Sequence, residues 1–188
     1  MLSEELKLRT KERHQQLEVK VITAIKLIHH RNDYARLLQL FAGYFGSLED
    51  LIEQNLNLDM LTDYRLRRKA AALQADLISM NVPLPKKIGS ENLPTIKNSL
   101  QAIGALYVME GSTLGGRIIR KMVADKLPNE NAFSFFEGYG EKTNDMWKSF
   151  KASIDAIVLN NKETNVVIDS ANETFYKFSF YFDFFNAD

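Results

Sequence analysis

The chain contains three histidines, and His14 is the one whose neighbours suggest chemistry. On a helical wheel turning about 100° per residue, Leu6, Thr10, His14, Leu17 and Val21 form one stripe, which predicts an inward-facing imidazole. Lys7 and Lys11 flank the N-terminal side of that stripe, and Glu18 follows His14 by one turn. Lys7 stands two turns before His14, roughly 10 Å along a helix axis. That spacing suits a ligand with a metal at its centre and anionic groups at its edge. A neutral imidazole would hold the metal, ammonium groups would pair with the anions, and Glu18 would orient the ring. The same residues also fit a core histidine satisfied by Glu18, with both lysines reaching out to solvent. Haem, with its iron and its propionates, is one of several candidates on this geometry. His29 and His30 fall at a helix end, where the dipole favours imidazolium, and read as structural or solvent-exposed.

A second feature lies in the segment from Leu106 to Arg117, where Gly111, Gly115 and Gly116 interrupt what otherwise reads as a buried helix. An interior glycine costs about 1 kcal/mol relative to alanine, so three of them are expected only where something approaches the backbone closely. Gly111 and Gly115 are four apart, as are Ser112 and Gly116, and the four read as one smooth strip. Two occupants fit it: another helix packed through small residues, or a planar ligand. Glu110 and Arg117 bracket the strip and exclude a membrane helix dimer. A phosphate-binding loop fails because no strand precedes the segment. For a haem, such a strip would keep the face opposite the histidine clear for a small gas molecule.

Together the two blocks resemble the haem (heme) oxygenase family. Residues 2–18 are similar to its proximal helix, including the histidine followed four residues later by glutamate. Residues 106–117 resemble its distal helix, especially in the bacterial branch associated with biliverdin-using phytochromes. Weaker similarity covers Tyr34 to Glu53, Phe135 to Gly140 and Trp147 to Phe150. The resemblance implies oxidative cleavage of haem to biliverdin with release of iron and carbon monoxide, haem being both substrate and cofactor and dioxygen the oxidant. It implies His14 as the iron ligand, Gly111 and Gly115 as distal backbone contacts with Gly116 beside them, and Lys7 and Lys11 as propionate partners. Tyr107 would line the pocket, and Lys151 or Lys148 would hold a propionate from a later helix. Many members carry aspartate directly after the first distal glycine, ordering water that delivers protons. Ser112 stands there in this chain, as in the phytochrome-associated branch, so Ser112, Arg117 and bound water are the candidates for proton delivery. Electrons would come from an external reductase or ferredoxin, since no nucleotide or flavin motif occurs. The alternative is a non-catalytic haem-binding or haem-delivery protein with the same pocket.

The elements that must position these residues are helical throughout. The 188 residues suit one domain, 1–188, with a substantial core. Helical periodicity is clearest from Asn32 to Glu53, where Leu37, Leu38, Phe41, Phe45, Leu48, Leu51 and Ile52 recur at three- and four-residue spacings. A first helix is expected from Ser3, as its cap, to His29 or His30, and a second capped by Asn32 or Asp33. Further helices are expected over Asp63–Met80, from Pro94 or Thr95 to Lys126, over Asn144–Leu159, and over Glu163–Phe185. The last is crowded with aromatics, including Phe184 and Phe185, and its end carries a weaker strand signal. The sum is a compact all-α bundle of about seven helices, of the haem oxygenase-like class. Charges balance at 24 basic and 24 acidic residues, which argues against nucleic acid or an anionic membrane as partner. The basic run Arg65 to Lys69 reads as a solvated helix face. The absence of cysteine excludes thiolate chemistry. With no signal-peptide pattern and no apolar run of spanning length, the expected location is the cytoplasm. A di-iron carboxylate site is disfavoured because no Glu-x-x-His occurs, and Glu49 with Glu53 reads as a solvated edge.

Overall fold

The computed structural model describes residues 1–187, with side chains to Asp183, and contains no strand among them. Its α-helices are α1 (Leu2–Arg9), α2 (Lys11–Lys26), α3 (Arg31–Asn55), α4 (Ala71–Ser79), α5 (Ser99–Lys126), the single turn α6 (Ser134–Glu137), α7 (Thr143–Asp155) and α8 (Asn161–Ala187). Short 3₁₀ turns punctuate the connections. The backbone of α8 is helical to Ala187, so the strand signal at its end is overridden. The side chains of Phe184 and Phe185 lie outside the described residues.

The expected first helix is two helices. Thr10 sits between them at φ −106° and ψ −2°, with its hydroxyl donated to the Leu6 carbonyl at 2.7 Å. A hydroxyl returned to the preceding turn bends a helix, and a β-branched residue at that point favours the bend. Ser3 is not the cap of α1. It lies inside the helix and binds Asp155 of α7 through both its N–H (2.8 Å) and its hydroxyl (2.7 Å). Entry to α3 also comes earlier than expected: His30, two residues before Asn32, is the N-cap, and the Asp33 carboxylate accepts from the His29 and His30 N–H groups at 2.8 Å each. Those bonds to the charged form, with backbone donors the largest cause, hold the Asp33 carboxyl below its ordinary range.

The axis of the fold is α5, capped by Asn98, whose side chain accepts from the Gln101 N–H at 3.0 Å. Residues Ala102 to Glu110 form an unbroken buried run. Its close partner is α8, and the glycine that permits this is Gly104: a Cβ there would strike the Val167 carbonyl oxygen and lie 2.9 Å from Ser170 Cβ. The third layer, α3, meets α8 through aromatic rings. Tyr44 stacks on Phe178 at 4.5 Å and gives its hydroxyl proton to the Thr174 carbonyl, while Phe41 meets Phe178 edge-on at 5.2 Å. This packing accounts for the aromatic crowding of α8, because Phe175, Phe178, Tyr181 and Phe182 are buried while Tyr176 and Phe180 face outward.

The region expected to form a helix from Asp63 to Met80 is helical only in α4, preceded by a 3₁₀ turn at Tyr64–Leu66. The basic run within it is not a solvated face. Arg67 is among the most buried charged residues of the protein, at 3% exposure, and Arg68 is partly buried. Glu49 also departs from the solvated edge expected of it: its side chain is 15% exposed and accepts the Ala70 N–H at 3.0 Å, while Glu53 stays half exposed.

Candidate active site

On the stripe predicted to face inward, Leu6, Thr10, Leu17 and Val21 are buried, but the His14 side chain is 59% exposed. The wheel is right about the face and wrong about the cover. The imidazole stands edge-on to Phe175 of α8 with ring centroids 5.6 Å apart. Its Nδ1 lies 4.0 Å from Glu18 Oε2, and Nε2 carries no hydrogen bond among the described residues. A ring with a carboxylate beside one nitrogen and the other nitrogen open resembles the arrangement of a metal ligand, although 4.0 Å is beyond hydrogen-bond reach. Lys7 and Lys11 are exposed nearby in sequence, but the break at Thr10 removes the straight-helix basis for the spacing between Lys7 and His14.

Tyr107 joins this end of the molecule to α5. Its hydroxyl lies near that of Thr10, and burial is the main cause raising its pKa. His14 lies one helical turn beyond Thr10, with its N–H on the Thr10 carbonyl at 2.9 Å, and Gly111 lies one turn beyond Tyr107. The histidine and the first glycine are thus each about 5.4 Å of helix rise from the point where Tyr107 and Thr10 approach.

The glycine segment is two faces rather than one strip. A Cβ on Gly115 would meet nothing within 4 Å, and one on Gly111 would meet only Trp147 Cη2, at 3.8 Å. Beside Gly115, Leu114 and Ile118 are 40% and 62% exposed, an apolar surface flanking bare backbone. Gly116 faces the other way, against the Phe136 carbonyl of α6, which leaves no room for a Cβ. Ser112 shares that side: its hydroxyl donates to the Met109 carbonyl at 2.6 Å and accepts from Arg68 Nη2 at 2.7 Å. One helix therefore carries helix packing at Gly116 and an open face at Gly115. Arg117 donates to the Gly140 carbonyl and holds the turn after α6.

Lys148 and Lys151 separate by register. Trp147, Lys151 and Asp155 follow at four-residue intervals on α7; Trp147 touches α5 and Asp155 holds Ser3 of α1, which places Lys151 on the face turned toward the α1–α5 junction. Lys148 is 74% exposed and sits 3.6 Å from Asp145.

Behind this surface lies a polar network that sequence reasoning missed. Arg67 grips Asp63 with two bonds (3.0 and 2.6 Å), donates to Glu110 Oε2 at 2.8 Å and reaches the Met146 carbonyl at 3.3 Å. The Tyr139 hydroxyl lies 2.8 and 3.0 Å from the two Glu110 oxygens and accepts the Arg68 N–H at 2.7 Å. Burial first, and the Glu110 charge second, raise the Tyr139 pKa, so it remains a phenol that donates to the carboxylate. Desolvation lowers Arg68 to about 10, which leaves it charged at neutral pH. One signal pointed here: Glu110 closes a run of nine buried residues on α5, and a carboxylate there requires a buried cation. Gly138 and Gly140, at φ +58° and +59°, make the turn after α6, and that turn is what aims Tyr139 inward.

The family model described as Heme oxygenase matches residues 1–185. The chain belongs to the heme oxygenase family. It is accordingly an all-α enzyme of haem cleavage. Heme oxygenase PigA of Pseudomonas aeruginosa is 30% identical over 179 residues, which cover 94% of this chain and 88% of PigA. The solved heme oxygenase of Neisseria meningitidis, with NO and CO bound, superposes with a TM-score of 0.84 at 18% identity, covering all of this chain and 92% of that one. Heme oxygenase-1 of the cyanobacterium Synechocystis sp. PCC6803, solved in complex with heme, gives 0.75 at 15% identity over 99% and 92% of the two chains. These two likenesses speak to the heme oxygenase fold. No helix among the described residues is long and apolar enough to cross a membrane.

Proposed function

We propose that the chain opens haem to biliverdin, with release of iron and carbon monoxide, on a haem seated between α2 and α5. One observation carries this placement: an imidazole with an open nitrogen and a glycine face with nothing above it lie within a turn or two of the point where Tyr107 of α5 approaches Thr10. Bound haem supplies the iron and the ring at which dioxygen reacts, with electrons from an external reductase or ferredoxin.

The protein's own groups then have separate tasks. His14 offers Nε2 as a neutral ligand, and Glu18, 4.0 Å from Nδ1, would close on the ring to orient it when the ligand binds. Phe175 limits rotation of the imidazole from one side. Gly115 keeps the opposite wall free of side chain, while Leu114 and Ile118 offer apolar cover to the porphyrin and exclude water beside it. Lys7, Lys11 and Lys151 would pair with propionates at the edge. The Ser112 proton is committed to the Met109 carbonyl, and one Arg117 N–H to the Gly140 carbonyl, so both tie backbone in place beside the open face. Proton delivery falls to water entering at the open face beside Gly115.

The test is a haemin titration followed by addition of a reductant system in air. Expected are a Soret band on binding, its loss on reduction, and growth of biliverdin absorption. His14→Ala should lose the axial-ligand signature and turnover, both recovered with added imidazole. Absence of a Soret band overturns the site. Turnover by His14→Ala at the wild-type rate without imidazole overturns the ligand. A stable Soret band without biliverdin selects a carrier over an enzyme.

A further inference from the structure

We infer that Trp147 is a specificity-determining residue of this reaction: its indole is the side wall that fixes how the haem is turned in its own plane, and hence which meso carbon is opened. The inference rests on the haem placement proposed above. A near-symmetric disc held by one axial nitrogen is free to rotate about that bond, so something at its rim must choose an orientation.

The open face of α5 has a border, and Trp147 forms it. The indole lies over Gly111, with Cη2 3.8 Å from where a Cβ would stand, and against Tyr107 at a ring separation of 5.5 Å. One turn further along, Gly115 has nothing within 4 Å. A flat ligand sliding along α5 toward Tyr107 therefore stops at the indole edge. A Cβ on Gly111 would meet the indole in ordinary van der Waals contact, so the indole closes the face there, whereas the face at Gly115 is open to the ligand.

The wall is also braced. Trp147 stacks on Phe150 with centroids 5.6 Å apart and planes 24° apart, and Phe150 is fully buried. The Arg67 guanidinium lies 5.1 Å from the Phe150 ring centroid and also donates to the carbonyl of Met146, the residue before Trp147. Both the ring beneath the indole and the backbone beside it are thus tied to the buried Arg67–Glu110 pair. Lys151 follows one turn later on the same face of α7. One helix then presents an apolar stop and a cation side by side: the indole meets an uncharged rim of the porphyrin and the ammonium a propionate.

The experiment compares wild type, Trp147→Phe and Trp147→Ala for haem binding by Soret titration and for biliverdin isomers by reversed-phase separation. Trp147→Ala should shift the ratio of major to minor isomer by about tenfold or more, in the range expected for losing shape contacts in an apolar pocket. Trp147→Phe, which keeps a planar wall of smaller reach, should shift it in the same direction by a smaller factor; it also serves as the deciding variant should Trp147→Ala fail to fold. A purely structural indole would change stability and leave the isomer ratio where it was. Variants that bind haem as wild type does and yield the wild-type ratio overturn the inference while leaving the site intact. A wild-type protein that forms no Soret band overturns the site itself.

Discussion

Arg67 and Glu110, 43 residues apart in sequence, meet at 2.8 Å with their side chains 1% and 3% exposed. This pair locks the loop before α4 to the middle of α5, and through the Met146 carbonyl to α7. Removing one partner strands a buried charge, which costs about 3–5 kcal/mol, whereas replacing both with apolar residues of similar volume relieves most of that loss. Arg67→Met is therefore expected to lower the urea midpoint sharply, and the double variant with Glu110→Leu to recover much of it. A double-variant cycle measures the coupling, and additive losses would refute the pairing.

Neighbouring glycines should respond oppositely to alanine. Gly115→Ala finds empty space and gains helix propensity, stabilising the ligand-free protein by about 1 kcal/mol, yet it crowds the proposed distal face and should slow haem turnover. Gly116→Ala meets the Phe136 carbonyl and should cost about 1–3 kcal/mol through overpacking. Thermal melts with and without haemin, alongside turnover rates, distinguish the two; a destabilised Gly115→Ala would contradict the open face.

The pH dependence of stability should carry the mark of Glu49. Desolvation, the largest cause, raises its pKa against the pull of the Ala70 N–H and Lys69. A folded-state pKa above the unfolded one means that the folded protein binds the proton more tightly. Its contribution is then fully present below the unfolded pKa and is lost as pH rises through the folded one. Wild type should accordingly be favoured over Glu49→Gln more at about pH 4 than at pH 7. Urea midpoints of both proteins at the two pH values check this, and a reversed trend would refute it.

Charge reversal on α7 tests the register of the proposed propionate contact. Lys151→Glu should weaken haem binding by up to roughly fivefold, an effect that fades in high salt, because a partly exposed ion pair is worth up to about 1 kcal/mol. Lys148→Glu, on the side of Asp145 and solvent, should stay within about twofold. Equal losses in the two variants would remove Lys151 from the site.

Much of this protein is legible in one dimension because much of its order is local. Three- and four-residue periodicity predicted helices throughout, the bare glycines marked α5 as a surface of close approach, and His14 stood out against a stripe of apolar residues. Each of these depends on residues within a turn or two of one another, which is what sequence spacing records. Tertiary structure decided the remainder. Only packing against α6 shows that Gly116 is a contact between helices while Gly115 is open. Only the fold brings Arg67 and Arg68 from a run that reads as solvated onto Glu110, Tyr139 and Ser112. Only the crossing of α7 over α5 puts Trp147 on Gly111. These relationships join residues distant in sequence, so their energies lie in burial and in shared hydrogen bonds rather than in local spacing.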